Sequence, residues 1–560
     1  MHEEEVQVHE KELQMRKAVI YAIIAISVIV ICDVFFFRNI IFTDYMLGNL
    51  GDGLFCNLIT EHWWQVILGN EGLAELPFYY PAENVLGYSD MMLGFGLIHS
   101  VFRLAGINVY YAFEITLFVM HLMGSLTMYY LLHNELGTGR VWSMLGTIAF
   151  SYSCALSAQS YHPQLMAIGM MPVLFVLFLR FRRFRDNRIK RNIYAFLTIG
   201  WFALLTYTAW YWACLTGLFV CVYLLVLLIG KIRSLKSFIT QALDEVKKIG
   251  IDIIAYIVWF VVLYIPFLRI YLPVLGEMGG YKEVFYPQPH VLFNVTVKNV
   301  MLGWLIEKIG WEQMDLDDNA GFSVVLLALF LVIFIMILVK GNKIGKSEGF
   351  FVRCIYISIF ICMILPMGFG EERKSLWSLI KVILPPLSTI RAMGRVYLWL
   401  TFPMAIICAV WGEKLLKRMP AWSIALLALL LFFSQIMRGG LYKENFIPKN
   451  QIAYDATIPD APEDMKCFYI VDPELHDWDY YIYQMEAYEI AANKHYKTIN
   501  GHSGQAPDEW ALWSPEWPDY EEMVKSWIEI NGLDHVYAYD RTNRIWIPWE
   551  ERNAELNEIR

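Results

Sequence analysis

One acidic residue of the sequence lies between two glycines, shortly after the first long apolar run. Asp52 follows Gly51 and precedes Gly53, and the run over residues 18–37 is long enough to cross a bilayer. The flanking glycines allow a tight backbone bend. A carboxylate held at a membrane surface and partly removed from water is suited to take a proton from a hydroxyl group. Asp52 is therefore the first candidate for a general base.

The segment that contains Asp52 has an unusual composition. Residues 43–90 include no Lys or Arg, but they carry many carboxylate and aromatic side chains, among them His62, Tyr80 and Asp90. Long loops are more often functional than accidental, which favours a role in binding or catalysis. The alternative is an acidic loop that is merely well solvated.

Two further groups of polar residues could take part in the same chemistry. His162 and Gln164 belong to a short polar turn between two apolar runs, where a histidine can be either structural or a substrate contact. Arg391 and Arg395 are four residues apart, a spacing that predicts one shared helical face. Paired arginines there could bind a lipid phosphate by bidentate hydrogen bonds. The alternative is that they only extend from the membrane interface into water.

The sequence leaves a bound metal open. Asp315, Asp317 and Asp318 form an acidic cluster that could hold a divalent metal, although a solvated loop is the simpler explanation. The nine cysteines include no C-x-x-C pair, so no zinc site and no disulfide framework can be recognised. No cofactor follows from these residues with certainty.

The composition requires a membrane. Of the 560 residues 57% are hydrophobic and 18% are charged, which is more apolar than a soluble domain. The net charge of −9 argues against a nucleic-acid partner. Residues 441–560 contain 24 acidic and 10 basic side chains, whereas the preceding part is slightly basic. The sequence thus predicts a tail over 1–17, a membrane domain over 18–440 with a first outer loop at 43–107, and a soluble domain over 441–560.

Eleven apolar runs are long enough to be predicted as membrane-spanning helices. They are 18–37, 108–132, 141–158, 164–180, 192–209, 211–230, 250–271, 320–339, 352–368, 394–412 and 421–437. Four basic connections lie on the cytoplasmic side by the positive-inside rule, at 180–191, 231–248, 340–353 and 414–418. The run 91–106 cannot also cross, because residues 180–191 would then face outside. It is predicted as a re-entrant or membrane-surface helix, with the N-terminus cytoplasmic and the C-terminal domain extracytoplasmic.

The C-terminal domain reads as a small α/β fold. Short strand-like runs occur at 467–471, 535–539 and 544–547, and helical patterns at 479–494 and 520–531. Trp510 and two nearby tryptophans could stack on the sugar rings of an acceptor. The alternative is that they are core residues or anchors at the membrane interface.

Taken together, the motifs give the chain a family likeness. In order, they are Gly51-Asp52, Tyr80-Pro81, His162-Pro163-Gln164, Arg391 with Arg395, and Asn500-Gly501-His502-Ser503-Gly504-Gln505-Ala506-Pro507. Their sequence and membrane side resemble the GT-C superfamily of integral-membrane glycosyltransferases, and more closely the bacterial GT-C-like multi-pass membrane proteins. One departure is Tyr161, where the pattern often has glycine before the histidine.

The resemblance implies an inverting transfer at the outer face of the cell membrane. Members take a sugar from a polyprenyl-phosphate-linked donor in the bilayer and pass it to a glycan, lipid or protein acceptor. Mapped here, Asp52 would deprotonate the acceptor, and Asp90 would position the acceptor or a metal. Arg391 and Arg395 would hold the donor phosphate. The remaining implied contacts are His162, Gln164, Tyr80 and His62 with substrate, and Ser503 and Trp510 in an acceptor loop.

Two other functions stay open. A transporter or flippase for a lipid-linked glycan would show inverted repeats and polar groups near the bilayer midplane. No repeat is recognisable, and the polar groups gather near one surface. A non-catalytic envelope-assembly protein that keeps the GT-C scaffold is hardly distinguishable from an enzyme by sequence alone.

Overall fold

The structure is a computed structural model and is predominantly helical. It describes residues 2–41, 43–275, 284–311, 321–340, 345–383, 387, 390–443, 446–472 and 480–559. The helices that precede the C-terminal part are α1 (His2–Phe36), α2 (Asp52–Leu68), α3 (Leu93–Leu104), α4 (Val109–Tyr130), α5 (Arg140–Ser151), α6 (Cys154–Ala158), α7 (Met171–Arg183), α8 (Arg188–Thr208), α9 (Trp210–Gly230), α10 (Leu235–Ile249), α11 (Asp252–Val274), α12 (Gly303–Lys308), α13 (Val324–Val339), α14 (Lys346–Ile364), α15 (Trp377–Ile383), α16 (Arg395–Leu415) and α17 (Ala421–Gln435).

Within the described chain, eight helical stretches are long and apolar enough to cross a membrane. They are Glu12–Phe36, Val109–Glu135, Arg140–Ala158, Pro163–Arg183, Trp210–Gly230, Asp252–Val274, Ser347–Ile364 and Arg395–Leu415. Each coincides with a run that the sequence predicts to span. The prediction of a helical multi-pass membrane protein is therefore confirmed.

The other three predicted spans are also helices, but each falls short on length or on apolar composition. α13 and α17 have 16 and 15 residues, which is short for a crossing. α8 is long enough, but its first turn is basic, and Arg188 and Arg191 each lie 2.6 Å from Asp252. Over the described residues, eight of the eleven predicted spans thus satisfy length and composition, and the crossing of α8, α13 and α17 stays a prediction.

α3 corresponds to the run that was predicted not to cross. Its 12 residues are too few for a bilayer, since such a helix measures about 18 Å against a hydrocarbon core of about 30 Å. One face is buried through Gly94, Gly96 and His99, while Leu97 and Val101 are exposed. This division between a packed face and an apolar outer face fits a helix at the membrane surface.

The C-terminal part has the predicted α/β composition. Its elements are α18 (Pro448–Asp455), β3 (Cys467–Val471), α19 (Tyr480–Lys494), α20 (Tyr520–Asn531), β4 (Val536–Asp540), β5 (Ile545–Pro548) and α21 (Trp549–Ile559); a separate hairpin precedes them, with β1 (Gly368–Phe369) and β2 (Lys374–Ser375). β3 pairs in parallel with β4, which pairs antiparallel with β5. A parallel pair needs a long crossover, which the segment with α19 and α20 supplies.

Backbone hydrogen bonds join the C-terminal part to the first outer loop. The Tyr79 N–H donates to the Asn500 carbonyl at 2.9 Å, and the Tyr80 N–H donates to the Thr498 carbonyl at 3.0 Å. In the other direction, the Thr498 N–H donates to the Pro77 carbonyl at 2.8 Å. The loop after α2 and the segment after α19 are therefore held side by side. The predicted boundary at residue 441 stays a prediction.

Candidate functional site

Asp52 is the first residue of α2, and a close backbone contact fixes its position. The chain turns so sharply before the helix that a Cβ on Gly48 would lie 2.6 Å from the Cα of Gly53. Only glycine fits this approach, and Gly48 also adopts φ +102°. A Cβ on Gly51 would lie 3.3 Å from the Tyr481 ring of α19. The start of α2 is therefore closely packed against α19 of the C-terminal part.

His162 lies next to Asp52 although the two residues are far apart in sequence. The Nδ1 of His162 is 2.8 Å from the Oδ2 of Asp52. His162 immediately precedes the 3₁₀-helix Pro163–Met170, and its ring lies 4.1 Å from that of Tyr161 between centroids. The Tyr161 ring thus supports the face of the imidazole, and the imidazole in turn fixes the carboxylate.

Asp52 is partly exposed and does not lie in a closed core. Its side chain keeps 38% of its accessible surface. Burial acts to raise its pKa, but the charge and hydrogen bond of His162, together with the charge of Arg395, hold the pKa of Asp52 below its usual value. A helix N-terminus also favours a carboxylate. Asp52 is therefore ionised at neutral pH and accessible to a small polar group.

Arg395 connects Asp52 electrostatically to Asp90. Arg395 begins α16, is 5% exposed and has its guanidinium 4.5 Å from the centroid of the Tyr211 ring. Asp90 accepts a hydrogen bond of 3.0 Å from the backbone N–H of Trp210, the first residue of α9. Burial raises the pKa of Asp90 to about 6, although the Trp210 hydrogen bond and the charge of Arg395 both lower it. The site thus contains two carboxylates beside one buried guanidinium.

Arg391 does not share a helical face with Arg395, and the spacing-based prediction is wrong on this point. α16 begins only at Arg395, because the preceding residues pair with an extended segment. The Phe285 N–H donates to the Arg391 carbonyl at 3.0 Å, and Phe285 forms a bridge with Ala392. The Arg391 guanidinium lies 5.7 Å from the Phe285 ring centroid.

Gln164 faces α2 one turn beyond Asp52. Its Oε1 accepts a hydrogen bond of 3.2 Å from the Sγ of Cys56. Burial, followed by the charge of Asp52, raises the pKa of the Cys56 thiol well above its usual value. The thiol is therefore neutral, and it acts as a hydrogen-bond donor that ties Gln164 to the same helix as Asp52.

Three sequence candidates contact other parts of the molecule. His62 is buried and pairs with Glu71, and it lies ten residues further along α2 than Asp52. Tyr80 uses its backbone, whose carbonyl accepts a 2.9 Å hydrogen bond from Trp527. Trp510 is 4% exposed and packs its ring 4.8 Å from Tyr79, so it is a core residue.

Ser503 belongs to the loop that contacts the Asp52 region. Its hydroxyl donates to the carbonyls of Tyr88, at 3.3 Å, and of Gln505. The residue before it, His502, was not among the predicted site residues. The only sequence signal for His502 is its position within the Asn500–Pro507 motif, where no spacing relates it to Asp52.

A buried ionic network between α2 and α3 was also not among the features that the sequence predicts. Glu61 of α2 lies 2.7 Å from His99 and 2.9 Å from Arg103, both on α3. Gln65 donates a further hydrogen bond to Glu61 at 2.7 Å. Since a buried carboxylate needs such partners, this network fixes α3 on α2 and supports the turn that carries Asp52.

The described part of the chain contains no group of three His, Cys, Asp or Glu side chains arranged to hold a metal ion. The acidic cluster of Asp315, Asp317 and Asp318 lies outside the described residues. The site as described therefore consists of Asp52, His162, Asp90, Arg395 and their neighbours.

Comparisons with known proteins yield structural similarity only. No family model and no curated protein matches this sequence. The chain is similar to the crystal structure of ArnT from Cupriavidus metallidurans bound to undecaprenyl phosphate, with 11% identity, 85% of both chains covered and a TM-score of 0.46. For the apo state of the same protein the identity is 11%, the coverage of both chains 86% and the TM-score 0.37.

Proposed function

We propose that the protein is a GT-C-type glycosyltransferase that moves a sugar from a polyprenyl-phosphate-linked donor to an acceptor hydroxyl. The observation that carries this proposal is the grouping of Asp52, His162, Asp90 and Arg395, of which His162 and Arg395 lie at the starts of two candidate membrane spans. A base and a buried cation at one place are what a lipid phosphate and a hydroxyl nucleophile require. The apolar helices around them suit the hydrocarbon chain of the donor.

In the proposed step, Asp52 accepts the proton of the acceptor hydroxyl. The acceptor oxygen forms a bond to the anomeric carbon while the bond from that carbon to the phosphate oxygen breaks. The electron pair of the broken bond stays on the phosphate, whose charge Arg395 and Arg391 stabilise. Attack from the face opposite the leaving phosphate inverts the anomeric configuration.

The neighbouring residues support this assignment of roles. The contact of 2.8 Å between His162 and Asp52 fixes the position of a carboxylate that is still partly exposed. Asp90 has a pKa raised to about 6 by burial and serves in the proposal as a second acid that positions the acceptor. We place the site on the extracytoplasmic side, with the N-terminus in the cytoplasm, because the connections at 180–191 and 231–248 are basic.

The test is transfer of radiolabelled sugar by the full chain in proteoliposomes, with polyprenyl-phosphate sugars as donors and envelope polymers as acceptors. Asp52→Asn should lower the rate by about 10²–10⁴-fold, because the base is lost while the shape is kept. Glu83→Gln is the matched control, since Glu83 is an exposed acid of the same loop. An unchanged rate in Asp52→Asn would contradict the proposal, and lipid movement across the bilayer without transfer would favour a flippase.

A further inference from the structure

One histidine of the C-terminal part reaches the candidate site. The ring centroid of His502 lies 5.9 Å from that of Phe55, which is on α2 within one turn of Asp52. On its other side, the ring lies 6.1 Å from that of Tyr481, the residue that contacts Gly51. His502 is therefore beside the turn that presents Asp52.

Two charged groups of the candidate site, Asp52 and Arg391, influence the pKa of His502. Burial lowers the pKa of His502, the Asp52 carboxylate raises it, and the Arg391 guanidinium lowers it further. The net effect is a pKa below the usual value, so the imidazole is neutral at pH 7. A neutral imidazole has one N–H donor and one acceptor nitrogen. His502 is thus a hydrogen-bonding group on which both the Asp52 carboxylate and the Arg391 guanidinium act electrostatically.

The backbone on either side of His502 is fixed. The Gly501 N–H donates to the Oε1 of Gln484 at 2.9 Å, and the Asn500 carbonyl accepts from Tyr79 at 2.9 Å. A Cβ on Gly501 would lie 2.1 Å from the Tyr79 ring, so the loop is in close contact with the first outer loop. These contacts hold the backbone next to His502 in place, so the point from which its side chain extends is fixed.

We propose that His502 is a substrate-binding residue, which donates a hydrogen bond to a phosphate oxygen of the lipid donor held by Arg391 and Arg395. The inference rests on the proposed function and extends it, because it makes the C-terminal part a component of the site. The chemistry it recognises is a phosphate group, which a lipid headgroup or free phosphate could supply. A lipid is favoured because the guanidinium groups lie beside apolar helices.

The first test is histidine modification by diethyl pyrocarbonate, followed by mass spectrometry of the full chain in lipid nanodiscs. Saturating undecaprenyl phosphate should slow modification of His502 by about tenfold, as expected for a group engaged in a hydrogen bond to a charged ligand. His495, an exposed histidine of the same part, is the internal control. Inorganic phosphate at the same concentration should protect less. Equal modification of His502 with and without the lipid would overturn the proposal, and equal protection by inorganic phosphate would overturn its assignment to a lipid.

The second test compares variants for binding of undecaprenyl phosphate. His502→Ala should weaken binding by about tenfold, and His502→Gln should recover part of the loss because its amide still donates. His495→Asn should bind like the wild type. Thermal unfolding of each variant shows that the fold is kept.

The outcomes separate the two proposals. If the wild type does not bind undecaprenyl phosphate, or if Arg395→Ala binds as well as the wild type, the proposed function fails. If Arg395→Ala weakens binding but both His502 variants bind normally, only the inference about His502 fails. If Ala and Gln at position 502 are equally impaired while both are folded, the role as a hydrogen-bond donor is overturned.

Discussion

The Oδ2 of Asp52 and the Nδ1 of His162 are 2.8 Å apart, which joins the first turn of α2 to the start of the 3₁₀-helix Pro163–Met170. This contact opposes the effect of burial on the carboxylate. Without it, burial would be less opposed, and the pKa of Asp52 would rise. The histidine therefore keeps the carboxylate ionised as well as oriented.

We predict that His162→Ala lowers the transfer rate by about 10–100-fold and moves the acidic limb of the pH–rate profile to higher pH. The sign follows from the carboxylate, since a higher pKa means that Asp52 is protonated, and so inactive as a base, at a higher pH. His162→Gln should show a smaller effect because it can still donate. An acidic limb that stays in place in His162→Ala would contradict this role.

Asp90 should weaken phosphate binding in a pH-dependent way. Burial raises its pKa to about 6, and its negative charge lies near Arg395. Above that pH the carboxylate offsets part of the guanidinium charge, and below it the carboxyl group is neutral. We therefore expect Asp90→Asn to bind undecaprenyl phosphate several-fold more tightly than the wild type at pH 7.5 and equally at pH 5.

The ratio of the two affinities is the quantity to measure, because ionisation of the ligand itself cancels in it. Glu83→Gln, which removes an exposed acid of the same loop, should give a ratio near one at both pH values. A ratio for Asp90→Asn that does not change between pH 5 and pH 7.5 would show that Asp90 does not titrate near the phosphate.

The packing of α3 on α2 depends on Gly96. A Cβ at this position would lie 2.3 Å from the Cδ1 of Trp63. Gly96→Ala should therefore lower the free energy of unfolding by about 1–3 kcal/mol through overpacking. Gly200→Ala is the control, since nothing lies within 4 Å of a Cβ there and alanine is the better helix former. Thermal unfolding in detergent distinguishes the two, and equal melting temperatures would refute the packing argument.

An acidic cluster should make attachment of the C-terminal part sensitive to pH. Glu489 is 3% exposed, and its carboxylate accepts hydrogen bonds from Tyr110 of α4 and, at 2.7 Å, from Gln451. Burial raises the pKa of Glu489 well above its usual value and that of Asp455 to about 6. At a pH between the unfolded-state and folded-state pKa, each group therefore holds a proton in the folded state that it does not hold in the unfolded state.

For acids with a raised folded-state pKa, the free energy of unfolding falls as the pH rises from the unfolded value near 4 to the folded value. We expect the melting temperature to fall across pH 4–6 and beyond, and Glu489→Gln to remove about half of that slope across pH 4–6 and most of it above pH 6. Ser526→Ala, an exposed change in the same part of the chain that removes no titratable group, should leave the slope unchanged. A variant slope equal to that of the wild type would refute the assignment.

Much of the architecture could be predicted because it depends on local pattern. The apolar runs locate the helices, and short alternating runs locate β3, β4 and β5. The Asp52 and His162 candidates could be proposed for the same site, although no spacing relates them. The failure at Arg391 has a tertiary cause, because its backbone pairs with Phe285, and no helical periodicity signals such pairing.

The residues that the sequence did not reveal are those whose partners are distant in the chain. Glu61 and His99 look like ordinary polar positions until α2 and α3 pack together. His502 has no neighbour in sequence that suggests a link to Asp52. Their roles depend on contacts between distant segments, which a single sequence does not specify.

The hydrogen bond from Tyr79 to the Asn500 carbonyl has a consequence for biosynthesis. The two segments that it joins are synthesised at very different times on the ribosome, since most of the membrane helices are translated between them. The segment around Tyr79 therefore lacks its hydrogen-bond partner, Asn500, until translation has passed residue 502. A nascent chain released after residue 435 but before residue 500 would carry every candidate membrane span of the described chain and still lack this contact.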